Sequence, residues 1–455
     1  MISRDEHTTS ILHQLIRLAL PVIATSFMTM AYNFINMIFV GRLGSDAVAA
    51  VGSAGFFMNL SWGISSILTV GAGIKVSHAM GEKNPLLAKS YVRSGILALV
   101  ILSVAYFLIL AVGRNLLISI VGLNDPVTES AASHYLLLIG MSIPFSFQNL
   151  FYTSVLIGYG DSKTPFRVNT TVLALNIVLD YLLIFIAGFG ISGAAIGTIL
   201  SQALGTFLFY RRLNHIEELK PAGVTYQSNL LKNIVSLGVS PTIQRVSFTL
   251  IAIVMARIIS NWGPHAIAVQ KVGIQIEAIS YMTAGGFMSA LSSISGKAYG
   301  AKDYQKQWNA FRSGMLLAVI IGIITSAVLV VFPQPLFSIF LQDKESLAMG
   351  SEYLVILGFS QLFMCLELMA TGAFFGWGRT NIPAITGISL TLLRIPMALA
   401  FIHFWQSSLS SVWWSISISS IAKGILLVAL YIILFKTFIR KYYETPVLSQ
   451  TQTRL

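Results

Sequence analysis

The chain has 455 residues, of which 55% are hydrophobic and only 10% are Asp, Glu, Lys or Arg, with a formal net charge of +12. Soluble domains carry about 25% charged residues, so a water-soluble core does not account for this composition. The basic excess is scattered over short loops, not gathered on one face, which argues against a nucleic-acid partner and leaves the lipid bilayer.

In chain order, residues 1–10 are polar, and the apolar run after them is too long for a removable signal peptide and lacks a small-residue cleavage site. It is expected to stay as the first span. About twelve apolar stretches follow one another, near 15–40, 47–79, 94–113, 131–157, 165–187, 190–210, 232–260, 266–296, 314–332, 349–375, 384–404 and 412–436. A helix needs about 20 apolar residues to cross the roughly 30 Å hydrocarbon layer, so the chain reads as all-α and integral to the membrane. With the N-terminus inside, Lys83, Lys89, Arg93, Lys163, Arg211, Arg212, Lys302, Lys306, Lys436 and Arg440 fall on the inner side. Arg42, Arg114 and Lys344 fall on the other. The positive-inside rule then makes both termini cytoplasmic in a multi-pass protein of the cell (inner or plasma) membrane. The single cysteine, Cys365, permits neither an intrachain disulfide nor a thiol metal site, and no cofactor is implied.

The chain also repeats itself. Arg93-Ser94-Gly95 recurs as Arg312-Ser313-Gly314 at an offset of 219, shared by Gly44 and Gly263 and by Ala47 and Ala266. Gly158-Tyr159-Gly160 recurs as Gly376-Trp377-Gly378 at an offset of 218. Six spans per copy return the chain to its starting side, so the copies form two six-helix bundles related by a pseudo-two-fold axis along the membrane normal. The expected division is an N-terminal bundle at 1–214, a cytoplasmic linker at 215–231, a C-terminal bundle at 232–440 and a cytoplasmic tail at 441–455.

Several motifs carry no chemistry in this setting. Gly188, Gly190 and Gly193 satisfy GxGxxG but join two apolar helices, where glycines serve a tight turn. No GxxxxGK[ST], HExxH or GxSxG sequence is present, so neither ATP hydrolysis nor an intramembrane enzyme is supported. Trp405, Trp413 and Trp414 are expected in an interfacial aromatic belt.

What remains are polar groups that a bilayer rejects. An acid at a helix centre costs roughly 2.5–3.5 kcal/mol on insertion scales, so each one retained is a site candidate. Asp180 leads, with Asn169 and Asn176 on the same stripe of the fifth span, and Thr29, Asn33 and Asn36 form a second stripe on the first span. In the second half Glu277 and Glu367 are the comparable acids and, with Gln244 and Tyr32, are assigned to the substrate cavity. Arg245, Lys271, Arg394 and Lys423 are possible partners for them. The acids do not follow the repeat: Met58 and Asn149 stand at the places of Glu277 and Glu367, and Ala398 at that of Asp180.

The segments LALPVIATSF, FINMIFVGRLGSDAVAAVG, IGYGDSKTP, NIVLDYLLIFIAGFGISGAAIGT and LLRIPMALAF together resemble the multidrug and toxin extrusion (MATE) transporters, in particular the DinF-like bacterial branch. The resemblance implies two bundles in a V around a central cavity, and export of amphipathic organic cations in exchange for H⁺ or Na⁺. It also implies that Asp180 and Asn176 match the cation site of the N-terminal bundle, and that Pro21 matches a proline at which the first helix bends. Asn36 stands where many relatives carry an aspartate. Phe248 and Met364 stand at or near the acids of the NorM branch, so a sodium site of that type is not expected. The functional expectation is a monomeric multidrug antiporter, not an enzyme, with Asp180, Asn176, Asn36, Asn33 and Thr29 coupling the cation. No resident metal is expected, although Asp180 is a possible Na⁺ ligand. The alternative is a flippase for lipid-linked sugars on the same architecture. Cysteines placed at Ser10 and Gln450 in a Cys365→Ala background should resist an impermeant maleimide in intact cells and react after permeabilisation; labelling in intact cells would reverse the topology.

Overall fold

The structure is a computed structural model that describes residues 4–123, 125–404 and 408–444; it is helical throughout, with no strand among the described residues. The first half contains α1 (Arg4–Gly41), α2 (Ser45–Gly81), α3 (Pro85–Val121), α4 (Pro126–Gly140), α5 (Ile143–Tyr159), α6 (Lys163–Tyr181) with a π-helical extension Leu182–Ile186, and α7 (Gly190–Asn214). The second contains α8 (Ser228–Ile259), α9 (Gly263–Gly300), α10 (Tyr304–Val331), the short α11 (Pro333–Ser338), α12 (Lys344–Trp377), α13 (Asn381–Leu392), α14 (Arg394–Phe404) and α15 (Leu409–Glu444).

These make twelve spans in two six-helix bundles. Residues Ser228–Gly300 form one apolar stretch of 73 residues. Drawn out as a helix it would measure roughly 110 Å, so it is two spans, α8 and α9. They part at the 3-10 turn Ser260–Trp262 and at Gly263, whose φ of 86° suits only glycine. Two expected spans are broken instead of continuous. α4 and α5 meet at 46° around Met141 and Ser142, with a proline in the first turn of α5. The span expected at 384–404 breaks at Leu393, three residues before Pro396, whose ring opposes continuation of the preceding turn.

The repeat is visible in the backbone. Lys83 (φ 54°) and Lys302 (φ 56°) are the only non-glycine residues at positive φ among the described residues, and they sit at equivalent turns. The next residues cap the following helices alike: Asn84 accepts from the Leu87 N–H and Asp303 from the Lys306 N–H. Asp125 and Asp343 repeat the device at the opposite end, accepting from Thr128 and Ser346, and these hydrogen bonds hold both carboxyls below the usual carboxylate range.

The cores do not follow the expected division of the chain. One buried cluster runs from Ala50 to Leu219 but includes Ile234 of α8. A second, built on α9, α10, α12 and α15, includes Ile11, Leu15 and Ala19 of α1. The far part of α8, with Ile251, Met255 and Ile259, belongs to a third cluster inside the second half. Each half's first helix thus starts on the other half and ends on its own. The crossings fall near Pro21 and Pro241, both inside unbroken helices. At Pro21 the helix is supported by hydroxyls, Thr25 donating to the Pro21 carbonyl and Ser26 to that of Val22.

The halves are pinned at the end that carries both termini. A Cβ on Gly71 or Gly238 of α2 and α8 would overlap the carbonyl of Ile234 or Ile67, and one on Gly81 or Gly300 that of Lys297 or His78. Small residues at such crossings let backbones approach in a medium that offers no hydrophobic drive between helices. Equivalent cross-braces complete the seam. His78 Nε2 donates to the Gly376 carbonyl at 2.8 Å, and Lys297 donates to that of Tyr159. Ser293 donates to Ile157 at 2.6 Å. Among the described residues, every side-chain hydrogen bond joining the two halves lies at or on the terminus-bearing side of Ser66···Thr242.

Trp405 lies outside the described residues. Trp413 is a correction to the aromatic belt: it is fully buried, edge-on to Tyr353, because α15 turns this face into the third cluster. Gly188 and Gly190 take left-handed φ in the turn as expected, while Gly193 lets α7 approach the backbone of Leu183. Gly300→Ala should lower stability by about 1–3 kcal/mol through overpacking, whereas Gly285→Ala, with open space at its Cβ, should be near neutral. Thermal unfolding of the two variants in detergent checks this.

Candidate functional site

Asp180 is the penultimate residue of α6, two residues before the π-helical turn begins at Leu182, and is 1% exposed. A π turn in a helix often accompanies a functional site, because it shifts the register of the side chains around it. No Lys, Arg or His forms an ion pair with Asp180 among the described residues. Its partner is Asn176, one turn earlier on the same face. With its amide nitrogen toward the carboxylate, Asn176 donates to the two Asp180 oxygens at 2.8 and 3.0 Å. Its carbonyl then accepts from Tyr32 Oη at 3.1 Å and Ser201 Oγ at 3.2 Å. Turned the other way, the amide nitrogen reaches Thr198 Oγ1 at 3.3 Å and the carbonyl faces the carboxyl group. Two acceptors face each other in that arrangement unless Asp180 carries a proton. The reversed orientation is therefore open only to protonated Asp180, while the first suits either state.

Three helices build this cluster. α6 supplies Asp180 and Asn176, α1 supplies Tyr32, and α7 supplies Thr198, Ser201 and Gly197, where a Cβ would overlap Asp180 Oδ1. Phe39 of α1 meets Tyr181 and Phe185 just beyond it, with ring centroids 6.3 and 5.6 Å away. Of the α1 residues expected here, Thr29 donates to the Thr25 carbonyl of its own helix and Asn33 is exposed. Asn36 lies one turn beyond Tyr32, and its Oδ1 is buried without a partner. Tyr32, assigned to the substrate cavity, instead reaches the Asp180 cluster. Thr198, Ser201 and Gly197 were missed, although their spacing of three and four places them on one helical face.

The acids of the second half are arranged differently. Glu367 is buried at 8% exposure and meets Lys423 Nζ at 3.0 and 3.1 Å. Lys423 also sits 5.4 Å from the Phe248 ring centroid. Glu277 accepts from Tyr353 Oη at 2.6 Å and Gln361 Nε2 at 3.2 Å, and Gln361 in turn accepts from Ser280 at 2.8 Å. Arg394, the first residue of α14, donates to Ser419 at 2.6 Å and Ser420 at 2.9 Å within electrostatic reach of both acids. The repeat sets Arg394 at the place of Asn176, so the cation of this network stands where the other half holds its amide. Gln244 packs against Gly387 of α13. Arg245 is exposed, lies against Gly63 of α2 and has no ion pair among the described residues. No cluster of three or more His, Cys, Asp or Glu suited to a metal occurs among the described residues.

The MatE family model matches residues 21–182 and 242–400 of the chain. The chain is similar to the probable multidrug resistance protein NorM of Thermotoga maritima, 27% identical over 421 residues that cover 90% of this chain and 89% of that protein. It is also similar to the probable multidrug resistance protein YoeA of Bacillus subtilis, 26% identical over 428 residues, or 91% of this chain and 92% of that one. A crystal structure of MATE in the bent conformation shares the fold with a TM-score of 0.89 at 20% identity, covering 95% of this chain and 98% of that one.

The charge network of the second half yields a stability test. Lys423→Ala leaves Glu367 buried without its counter-charge and should cost about 3–5 kcal/mol, while Lys423→Met combined with Glu367→Leu should recover most of the loss. Thermal unfolding midpoints of the single and double variants measure the difference; equal losses would show that the pair does not act as a unit.

Proposed function

The chain belongs to the MatE family, and from that premise we propose that it is a secondary multidrug efflux antiporter that exports amphipathic organic compounds, organic cations among them, in exchange for H⁺ at Asp180. It is a multi-pass membrane transporter, not an enzyme. The observation that carries the coupling reading is a buried carboxyl group with no basic partner, bonded to an amide that can face it either way. Unpaired acids within membrane spans mark ion and proton pathways, since a purely structural acid is neutralised by a neighbour, as Glu367 is.

The crossing of α1 gives the proton something to move. Below Pro21 the helix is packed into the second half, and above it Tyr32 hangs on Asn176. Loss of the proton turns the Asn176 amide toward the carboxylate and draws Tyr32 Oη onto its carbonyl. Gain of the proton lets the amide reverse, and once it has reversed Tyr32 must accept from it or release it. The upper part of α1 is thereby biased between two packings about Pro21, while the seam holds the terminus-bearing, cytoplasmic end shut. Protonation from the far side then favours release of cargo there, and return of the proton to the cytoplasm resets the site.

Sodium is the alternative driver. Asp180 with the oxygens of Asn176, Thr198 and the unpartnered Asn36 Oδ1 would be its ligands, since Na⁺ is a hard cation that prefers oxygen. Arg245 favours a second reading of the cargo: an exposed cation midway along α8, with no ion pair among the described residues, suits an anionic head, as on a lipid-linked sugar. In proteoliposomes with an imposed pH gradient, Asp180→Asn should still bind cargo but lose at least tenfold of proton-driven uptake. Wild-type rates in that variant would place coupling elsewhere, and activity restored by a Na⁺ gradient alone would change the ion.

A further inference from the structure

A cavity of about 410 Å³ opens beside the seam at the terminus-bearing end. Arg17 of α1, Lys163 at the start of α6, Lys297 of α9 and Lys306 of α10 line it, so four separate segments from both halves deliver one cation each. Its one acid, Asp161, is already engaged, accepting from the Thr164 N–H at 3.0 Å and hydroxyl at 2.6 Å, with Arg212 at 3.8 Å. Arg17, Lys163 and Lys306 have no carboxylate in ion-pair range among the described residues. Lys297 is fixed by the Tyr159 carbonyl and ring, and Gly160 leaves the room that its ammonium occupies.

The positive-inside rule accounts for the sign of these residues but not for their convergence. Lys83 and Lys436 lie at the same end of the molecule and line no cavity with them. The level also matters. Counted from the far ends of α1 and α10, Arg17 and Lys306 lie roughly 36–38 Å along their helices, just beyond a hydrocarbon core of about 30 Å. For spans whose far ends meet the opposite hydrocarbon boundary, this is the depth of lipid headgroups.

We propose that the cavity binds a phosphate group, a phosphomonoester above all, and that the bound anion ties α1 and the α5–α6 turn to α9 and α10, so favouring the closed seam. Its oxygens accept from Lys163 and Lys306 across the cleft and from Arg17 above, replacing repulsion among the cations with charge-assisted hydrogen bonds. The phosphate is that of a lipid headgroup from the adjoining leaflet or of a free anion in solution. The site is separate from Asp180 and does not rest on the coupling reading.

The test uses the full chain in phosphatidylcholine nanodiscs, with spin labels at Glu82 and Gln305 across the seam in a Cys365→Ala background. One arm titrates phosphatidic acid into the nanodisc, and the other adds inorganic phosphate to the buffer. Phosphatidic acid should increase the short-distance population, and Lys163→Gln with Lys306→Gln should weaken that response at least tenfold. Lys306→Arg should retain the response, and Lys83→Gln with Lys436→Gln should leave it unchanged. A response to phosphatidic acid alone identifies a lipid headgroup, and a pocket-dependent response to inorganic phosphate identifies a free anion. No response in either arm, or equal losses in the pocket and control double variants, overturns the proposal.

Discussion

The close approach of backbone to backbone at the terminus-bearing end is the constraint on which the rest of the structure depends. In lipid, helices gain nothing by burying apolar surface against one another, so what holds two bundles together is contact at short range and hydrogen bonds across it. Gly71, Gly81, Gly238 and Gly300 allow that contact, and His78, Lys297 and Ser293 close it with donors aimed at carbonyls of the opposite half. α1 and α8 take part because each begins on the far side of the seam. A motion that opens the seam therefore cannot leave either helix as it is, and the prolines inside them mark where the change of partner falls.

The two halves use buried charge in opposite ways. In the second, Glu367 is paired with Lys423, Glu277 is held by Tyr353 and Gln361, and Arg394 by two serines within electrostatic reach of both acids, so two acids and two bases share one network. Such a network is costly to break at one member and adds little to stability as a whole, so its value lies in fixing how α9, α12, α14 and α15 register. The first half keeps a single acid against an amide and three hydroxyls, an arrangement that different protonation states satisfy with different bonds. Transport by alternating access needs one element of this second kind, linked to a helix that touches both halves, and α1 is that helix.

Much of this was legible in the residues. The apolar runs and loop charges gave twelve spans, and the internal offset gave two equivalent bundles, because both signals are periodic and local. Asp180 and Asn176 stood out for the same reason: a bilayer interior tolerates few such groups, and a spacing of four puts them on one face. Their neighbours did not stand out. Thr198 and Ser201 are ordinary in a span, where hydroxyls usually bond their own helix as these do, and only the packing of α7 on α6 brings them to the Asn176 amide. Tyr32 was assigned to the cavity and Thr29 and Asn33 to the ion site; in the fold Tyr32 reaches Asn176, while Thr29 bonds its own helix and Asn33 is exposed.

The sequence by itself determined the class, the number of spans, the repeat and the few acids retained inside spans, with Asp180 leading them. These follow from composition and from spacing along a helix of known pitch. Only the tertiary structure decided that α1 and α8 cross between the halves, that Glu367 is paired with Lys423 while Asp180 is not, and that four distant cations meet around one cavity. Each of these depends on which faces of long helices meet across hundreds of residues, and a helix whose surroundings are apolar on every side does not record in its own pattern which face will be chosen.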